Sequence, residues 1–148
     1  MKISSKGRYG LAVMVSLAQV ANSGEYVSII SIAERLGISK IYLEQVFSLL
    51  KRAELVNSVK GAQGGYQLSK APDMITAGDV LHATEHSLFE KTDSSISSGP
   101  VEIEKAMEAS VWNKLDSAIA KALDSVTLSD LVGEAERHKG DNYLMFYI

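Results

Sequence analysis

The chain has 148 residues, 46% of them apolar, no cysteine and a formal net charge of −3. Its length suits one domain with a helical appendage, and its apolar share can fill a buried core. The missing thiols exclude disulfides, thiolate-bound zinc, a cysteine nucleophile and a cysteine-ligated iron–sulfur cluster, and no cofactor is expected.

Charge is unevenly spread. Residues 1–70 carry nine Lys and Arg against four acids, +5, which leaves −8 for residues 71–148. A polyanion is drawn to the first half and repelled by the second. No apolar run nears the roughly 20 residues of a membrane helix. Met1-Lys2-Ile3-Ser4-Ser5-Lys6 has no apolar core behind its charges, so a cytoplasmic protein without signal peptide or membrane partner is expected.

Ser4 or Ser5 caps a first helix running to about Ala21. Leu11, Met14, Val15 and Ala18 form one stripe, and Val13, Leu17 and Val20 populate the other side. A helix apolar nearly all round is buried on several faces, here centrally and in part against a second subunit. A short helix capped by Ser28 or Ser31 carries Ile32, Ala33 and Leu36 and ends at Gly37. Ser39 caps the next, which runs to about Ala53 with Leu43, Val46, Phe47 and Leu50 as its core stripe. Ile41, Glu44, Gln45, Ser48 and Arg52 fall on the opposite face. Two helices joined by a tight Gly turn, with small Ala33 at the crossing, make a helix-turn-helix.

The period then changes. Residues 55–60 read as a strand, Gly61-Ala62-Gln63-Gly64-Gly65 as a loop and Tyr66-Gln67-Leu68 as the returning strand, which together form a wing. Thr76 caps a helix with Ala77, Val80 and Leu81 on its apolar face. Residues 92–100 read as a linker. A long helix from about Val101 to Leu123 follows, its stripe formed by Met107, Val111, Leu115, Ala118 and Ala122. That stripe needs a cover, and a partner subunit supplies it. Thr127 caps a short last helix. From His138 the chain is polar, and it ends on the apolar run Tyr143-Leu144-Met145-Phe146-Tyr147-Ile148. The expected architecture is mainly α with a small β-wing. Residues 1–81 form a winged helix-turn-helix and 82–100 a variable linker. Residues 101–137 hold the dimerisation helix and a short last helix, and 138–148 form a tail.

The helix from Ser39 is the candidate recognition helix. Its N-terminal residues reach base edges in a major groove. Gln45 suits adenine, Ile41 a thymine methyl, and Ser39 and Lys40 a phosphate at the positive helix end. An exposed face used for protein contacts is the competing reading. Gly64 and Gly65 either let the wing tip lie along a groove beside Lys60 or make a plain hairpin turn. Arg8 is a second phosphate contact or a solvated charge. His82, His86 and His138 lack a set of further ligands beyond Glu85 and Glu90, so no metal site is read. No nucleophile–base pair or phosphate-binding Gly loop is visible, so an enzyme is the weaker competing class and no catalysis is expected. The terminal run either folds back on the core or serves as a ligand, since a terminal carboxylate beside an apolar side chain is a known recognition element.

Residues 1–10 (Met-Lys-Ile-Ser-Ser-Lys-Gly-Arg-Tyr-Gly), Ile32-Ala33, Tyr42-Leu43-Glu44-Gln45, Gly61-Ala62-Gln63-Gly64-Gly65-Tyr66-Gln67-Leu68 and Ile75-Thr76-Ala77-Gly78-Asp79-Val80 occur in this order. They closely resemble the BadM/Rrf-two family of transcriptional regulators. The resemblance implies a homodimer with a winged helix-turn-helix and a long crossing dimerisation helix. Lys6, Tyr42 and Tyr66, within these blocks, join the candidate DNA-facing set. Val111, Leu115, Ala118 and Ala122 are the candidate dimer contacts. Cluster-sensing members carry three cysteines in the segment matching about 90–105, and this chain has none. The block 123–131 and the ending Met145-Phe146-Tyr147-Ile148 resemble a cysteine-free branch, the repressors of cysteine metabolism in Gram-positive bacteria. That resemblance implies cysteine synthase as corepressor, whose active site accepts peptide tails ending in isoleucine. The stretch from His82 to Val101 departs from the branch pattern.

Overall fold

The computed structural model describes residues 2–93 and 98–147, with 142–147 by backbone alone. Helix α1 spans Ser5–Gln19, and Ser4 is its N-cap, the hydroxyl accepting the Gly7 N–H at 3.2 Å. Val13, Met14, Leu17 and Ala18 are buried on more than one side of it, as its all-round apolar pattern requires. Helix α2 spans Ile29–Leu36 and stops at Gly37, whose φ of 66° is the left-handed cap that glycine tolerates. Helix α3 spans Lys40–Arg52, capped by Ser39. Its Leu43, Val46, Phe47 and Leu50 are each 0% exposed.

Strands β1 (Val56–Val59) and β2 (Gly65–Leu68) pair antiparallel, with Val56 opposite Leu68 and Val59 opposite Gly65. Val27 adds a third edge: it and Tyr66 exchange two backbone hydrogen bonds of 2.8 Å. The wing is thereby fastened to the segment before α2.

Helix α4 spans Ala77–Thr84 behind a capping box in which the Thr76 hydroxyl accepts the Asp79 N–H and the Asp79 carboxylate accepts the Thr76 N–H. The same device recurs at Thr127 and Asp130. The two are joined by an antiparallel bridge, Ala77 N–H to Val126 O (2.8 Å) and Leu128 N–H to Ile75 O (2.9 Å). Leu128 is fully buried, and Leu131 and Val132 pack on the same core. Residues 128–132 therefore belong to the core around α1. In sequence they group with the long helix, since their apolar stripe is too short to show its partner, and the fold assigns them to the core.

Between these clasps lies the long helix, in two pieces: α5 (Val101–Met107) and α6 (Asn113–Asp124), joined by a π-turn at Glu108–Trp112. The Asn113 N–H reaches back to Glu108 O, five residues away, and this turn was not legible in the apolar spacing. Helix α7 runs Leu128–Tyr147, far beyond the short last helix expected. Polar composition had suggested a break at His138, but polarity does not end a helix. Glu134 pairs with both Arg137 and His138 one turn on, and no proline follows Pro100. The hydrogen bond from Arg137 holds the Glu134 carboxyl below its ordinary value. Ile148 lies outside the described residues.

Helix α3 ends without glycine. Glu54 takes the left-handed conformation at φ 59° while the Leu55 N–H bonds Leu50 O at 3.0 Å. A side chain in that region costs about 1–2 kcal/mol, partly offset by the greater freedom of glycine when unfolded. Glu54→Gly is expected to raise stability by about 0.5–1 kcal/mol. At fixed protein concentration the urea midpoint should rise with an unchanged slope; an unchanged or lower midpoint would contradict the strain.

Candidate nucleic-acid interface

Complete burial of one side of α3 forces the other side outward. Ile41 is 73% exposed, and Lys40, Glu44, Gln45 and Ser48 are exposed with it. An open groove of about 520 Å³ is lined by Lys6 from α1 together with Ile41, Glu44, Gln45, Ser48 and Leu49. Lys40 and Glu44 form a solvent-exposed pair at 3.8 Å, which contributes little energy but aligns both side chains on this face. The Ser39 hydroxyl is occupied as the cap, accepting the Tyr42 N–H at 3.2 Å.

A second groove, of about 530 Å³, runs between the N-terminus of α2, the flank of α3 and the wing. Lys40, Lys51 and Lys60 line it, beside Ser28, the cap of α2. Three ammonium groups and a positively polarised helix end on one concave surface suit a phosphate backbone.

The two wing glycines have a structural reason. A Cβ on Gly65, where φ is 154°, would lie 2.1 Å from Val27 O, and one on Gly64 would lie 2.2 Å from Val59 O. Close backbone approach demands both. Tyr42 and Tyr66 are half-buried anchors. Tyr42 meets Tyr9 edge-on at 5.2 Å, and Tyr66 stacks on Phe47 at 3.9 Å. They fix α3 to α1 and to the wing. Arg8 is not brought to this surface. About 200° around α1 from Lys6, it donates to Ser5 Oγ at 3.1 Å and lines a groove with long-helix residues.

Glu44 and Ser48, which the spacing already puts on the outward face, line the first groove, and Leu49, Lys51 and the start of α2 join the candidate surface without having been placed there by the sequence. Lys51 was findable: it lies eleven residues from Lys40, about three turns, and so on the same face. The start of α2 was not, because only the fold carries it to the wing.

On another side, Val111 and Leu115 are 47% and 50% exposed, and Ala118 and Ala122 are exposed. Ala118, Ile119, Ala122 and Leu123 of α6 line an almost wholly apolar groove of about 610 Å³ with Ile3 and Leu11. His82 stacks on Phe89 at 3.5 Å. Among the described residues no three His, Asp or Glu side chains are placed to hold a metal ion.

Residues 3–134 match the Rrf2 family model, described as iron-dependent transcriptional regulator. The chain belongs to the Rrf2 family. It is 41% identical, over the full length of both chains, to the HTH-type transcriptional regulator CymR of Bacillus subtilis (strain 168). It is 39% identical to the HTH-type transcriptional regulator IscR of Aliivibrio salmonicida, over 92% of this chain and 80% of that one. The solved structure of CymR (YrzC), the global cysteine regulator of B. subtilis, superposes with a TM-score of 0.76 at 37% identity, covering 90% of this chain and 98% of that one. The fold is thus that of a winged-helix transcriptional regulator, and its activity is DNA binding in transcription regulation, not catalysis. The iron in the family's description has no thiolate ligand here, since the chain has no cysteine.

Proposed function

We propose that the protein is a homodimeric repressor of cysteine and sulfur metabolism genes that reads operator DNA with α3 and grips the backbone with the wing. The observation that carries this reading is the outward face of α3: Lys40, Ile41 and Gln45 stand exposed opposite a fully buried stripe, with lysines on both flanks. Gln45 and Ile41 meet base edges, and Lys6, Lys40 and Lys60 meet phosphates, with Gly64 and Gly65 holding the wing close to the body. The regulon follows from likeness to CymR, which is described as a global cysteine regulator. Gln45→Ala is expected to lower discrimination between preferred and random duplexes by ~1–3 kcal/mol, the worth of one bidentate base contact. Lys60→Ala should weaken all sequences alike and flatten the salt slope by about 0.9. An unchanged preferred-to-random ratio in Gln45→Ala would remove its base-reading role.

Dimerisation through α6 is supported by the uncovered stripe Val111, Leu115, Ala118 and Ala122 beside the apolar groove under α1. Two joined half-site readers explain how one short helix gains operator-level affinity. Leu115→Glu would bury an unpaired charge. Sedimentation should find that variant monomeric where the wild-type chain is a dimer; a dimer at micromolar concentration would exclude α6 from the interface.

The partner reading is that Met145, Phe146, Tyr147 and Ile148 dock into cysteine synthase as corepressor. It rests on likeness to the cysteine-metabolism branch. It is supported by α7, which from Glu136 to Asp141 is exposed at every residue and so leads the chain away from the core. Titration of cysteine synthase should show binding by the full chain and none by a chain lacking Tyr147 and Ile148. Equal binding by both, or by neither, would refute the docking.

A further inference from the structure

Glu85 terminates α4 at the start of the connection to the long helix. Its half-buried carboxylate turns back onto the start of α1. One oxygen accepts both the Ser4 N–H and the Ser4 hydroxyl, each at 2.7 Å. The same hydroxyl accepts the Gly7 N–H, so Ser4 is fully engaged at the N-terminus of α1. A negative charge there is also favoured by the helix dipole. Room for it comes from Gly7: a Cβ would lie 2.2 Å from Glu85 Oε1 and 2.8 Å from Ile3 Cγ2. One turn on, Gly10 admits Thr84 in the same way, a Cβ there falling 2.8 Å from Thr84 Cγ2. Two buried glycines therefore let the end of α4 close onto the start of α1.

That first turn of α1 also carries Lys6, which stands in the groove with Ile41, Glu44 and Gln45 of α3. Glu85 thus ties down, across 81 residues of sequence, the turn that carries a cation to the recognition helix.

We propose that Glu85 is a positioning residue for DNA binding, holding the first turn of α1 so that Lys6 meets the phosphate beside α3. This rests on the DNA-reading face proposed above.

The test uses the full chain and the tightest duplex selected from a random-sequence library, with affinity measured over a series of salt concentrations. Glu85→Ala is expected to weaken binding about tenfold, as loss of a charge-assisted hydrogen bond does. Its salt slope should be shallower by about 0.9, the signature of one lost phosphate contact. Lys6→Ala should give the same slope change. Adding Lys6→Ala to Glu85→Ala should cost little more, because the contact is already gone. A merely structural cap would leave the salt slope alone and give additive losses. Gly7→Ala keeps the carboxylate but occupies its place, so it should reproduce Glu85→Ala even if the latter folds poorly. Wild-type slope in both Glu85→Ala and Gly7→Ala, or additivity with Lys6→Ala, would overturn the proposal while leaving the DNA reading intact. Failure of the wild-type chain to bind any duplex would overturn both.

Discussion

Everything on the proposed DNA-facing side depends on how completely α3 buries one face. Leu43, Val46, Phe47 and Leu50 all reach zero exposure, and each such side chain contributes about 1.5–3 kcal/mol on leaving water. Rotating the helix by a single residue would expose part of this stripe and bury Glu44 or Gln45 without partners, a cost no surface contact repays. The orientation of the outward residues is therefore set from inside. Phe47 extends the constraint to the wing by stacking on Tyr66, and Tyr42 extends it to α1 through Tyr9. The outward face of α3 is held in place by the packing of its back.

Around this stripe the molecule has two kinds of fastening. Apolar burial holds α1, α3 and the first turns of α7 together. Polar clasps join parts distant in sequence: the paired capping boxes at Thr76 and Thr127, and the Glu85–Ser4 contact. The first clasp brings the chain after the long helix back to the N-terminal end of α4, one helix length from Glu85, where the arm leaves. The orientation of α6 against the reading surface is inherited from these two attachments. In a dimer built on α6 it would set the distance between the two recognition helices.

Much of this was legible in the sequence. Ser39 and Thr76 are caps as read, the structure selects Ser4 over Ser5 and Ser28 over Ser31, Gly37 is the left-handed stop, and the 3.6-residue spacing of α3 gave its buried and open faces. Local chemistry determines such features. What escaped depends on distant parts of the chain. Glu54 in a glycine-type conformation, the π-turn at Glu108–Trp112 and the continuation of α7 past His138 leave no mark in local apolar spacing. Lys6 and Arg8 look equivalent in the sequence, yet helical rotation sends one to the recognition helix and the other to the long-helix groove. For the wing glycines the sequence leaves a groove-lying tip and a plain hairpin turn open, and the fold adds a local cause for both, the approach of the Val27 and Val59 carbonyls.

The central claim is that the outward face of α3 and the adjoining wing groove receive DNA. Backbone amide chemical shifts of the full-length protein, followed during titration with its tightest duplex, test this at residue resolution. The account requires the shifts to concentrate at residues 39–48, at 58–65 and at Lys6, with the amides of α6 little changed. Shifts confined to α6 and α7, with α3 and the wing silent at saturating DNA, would contradict it.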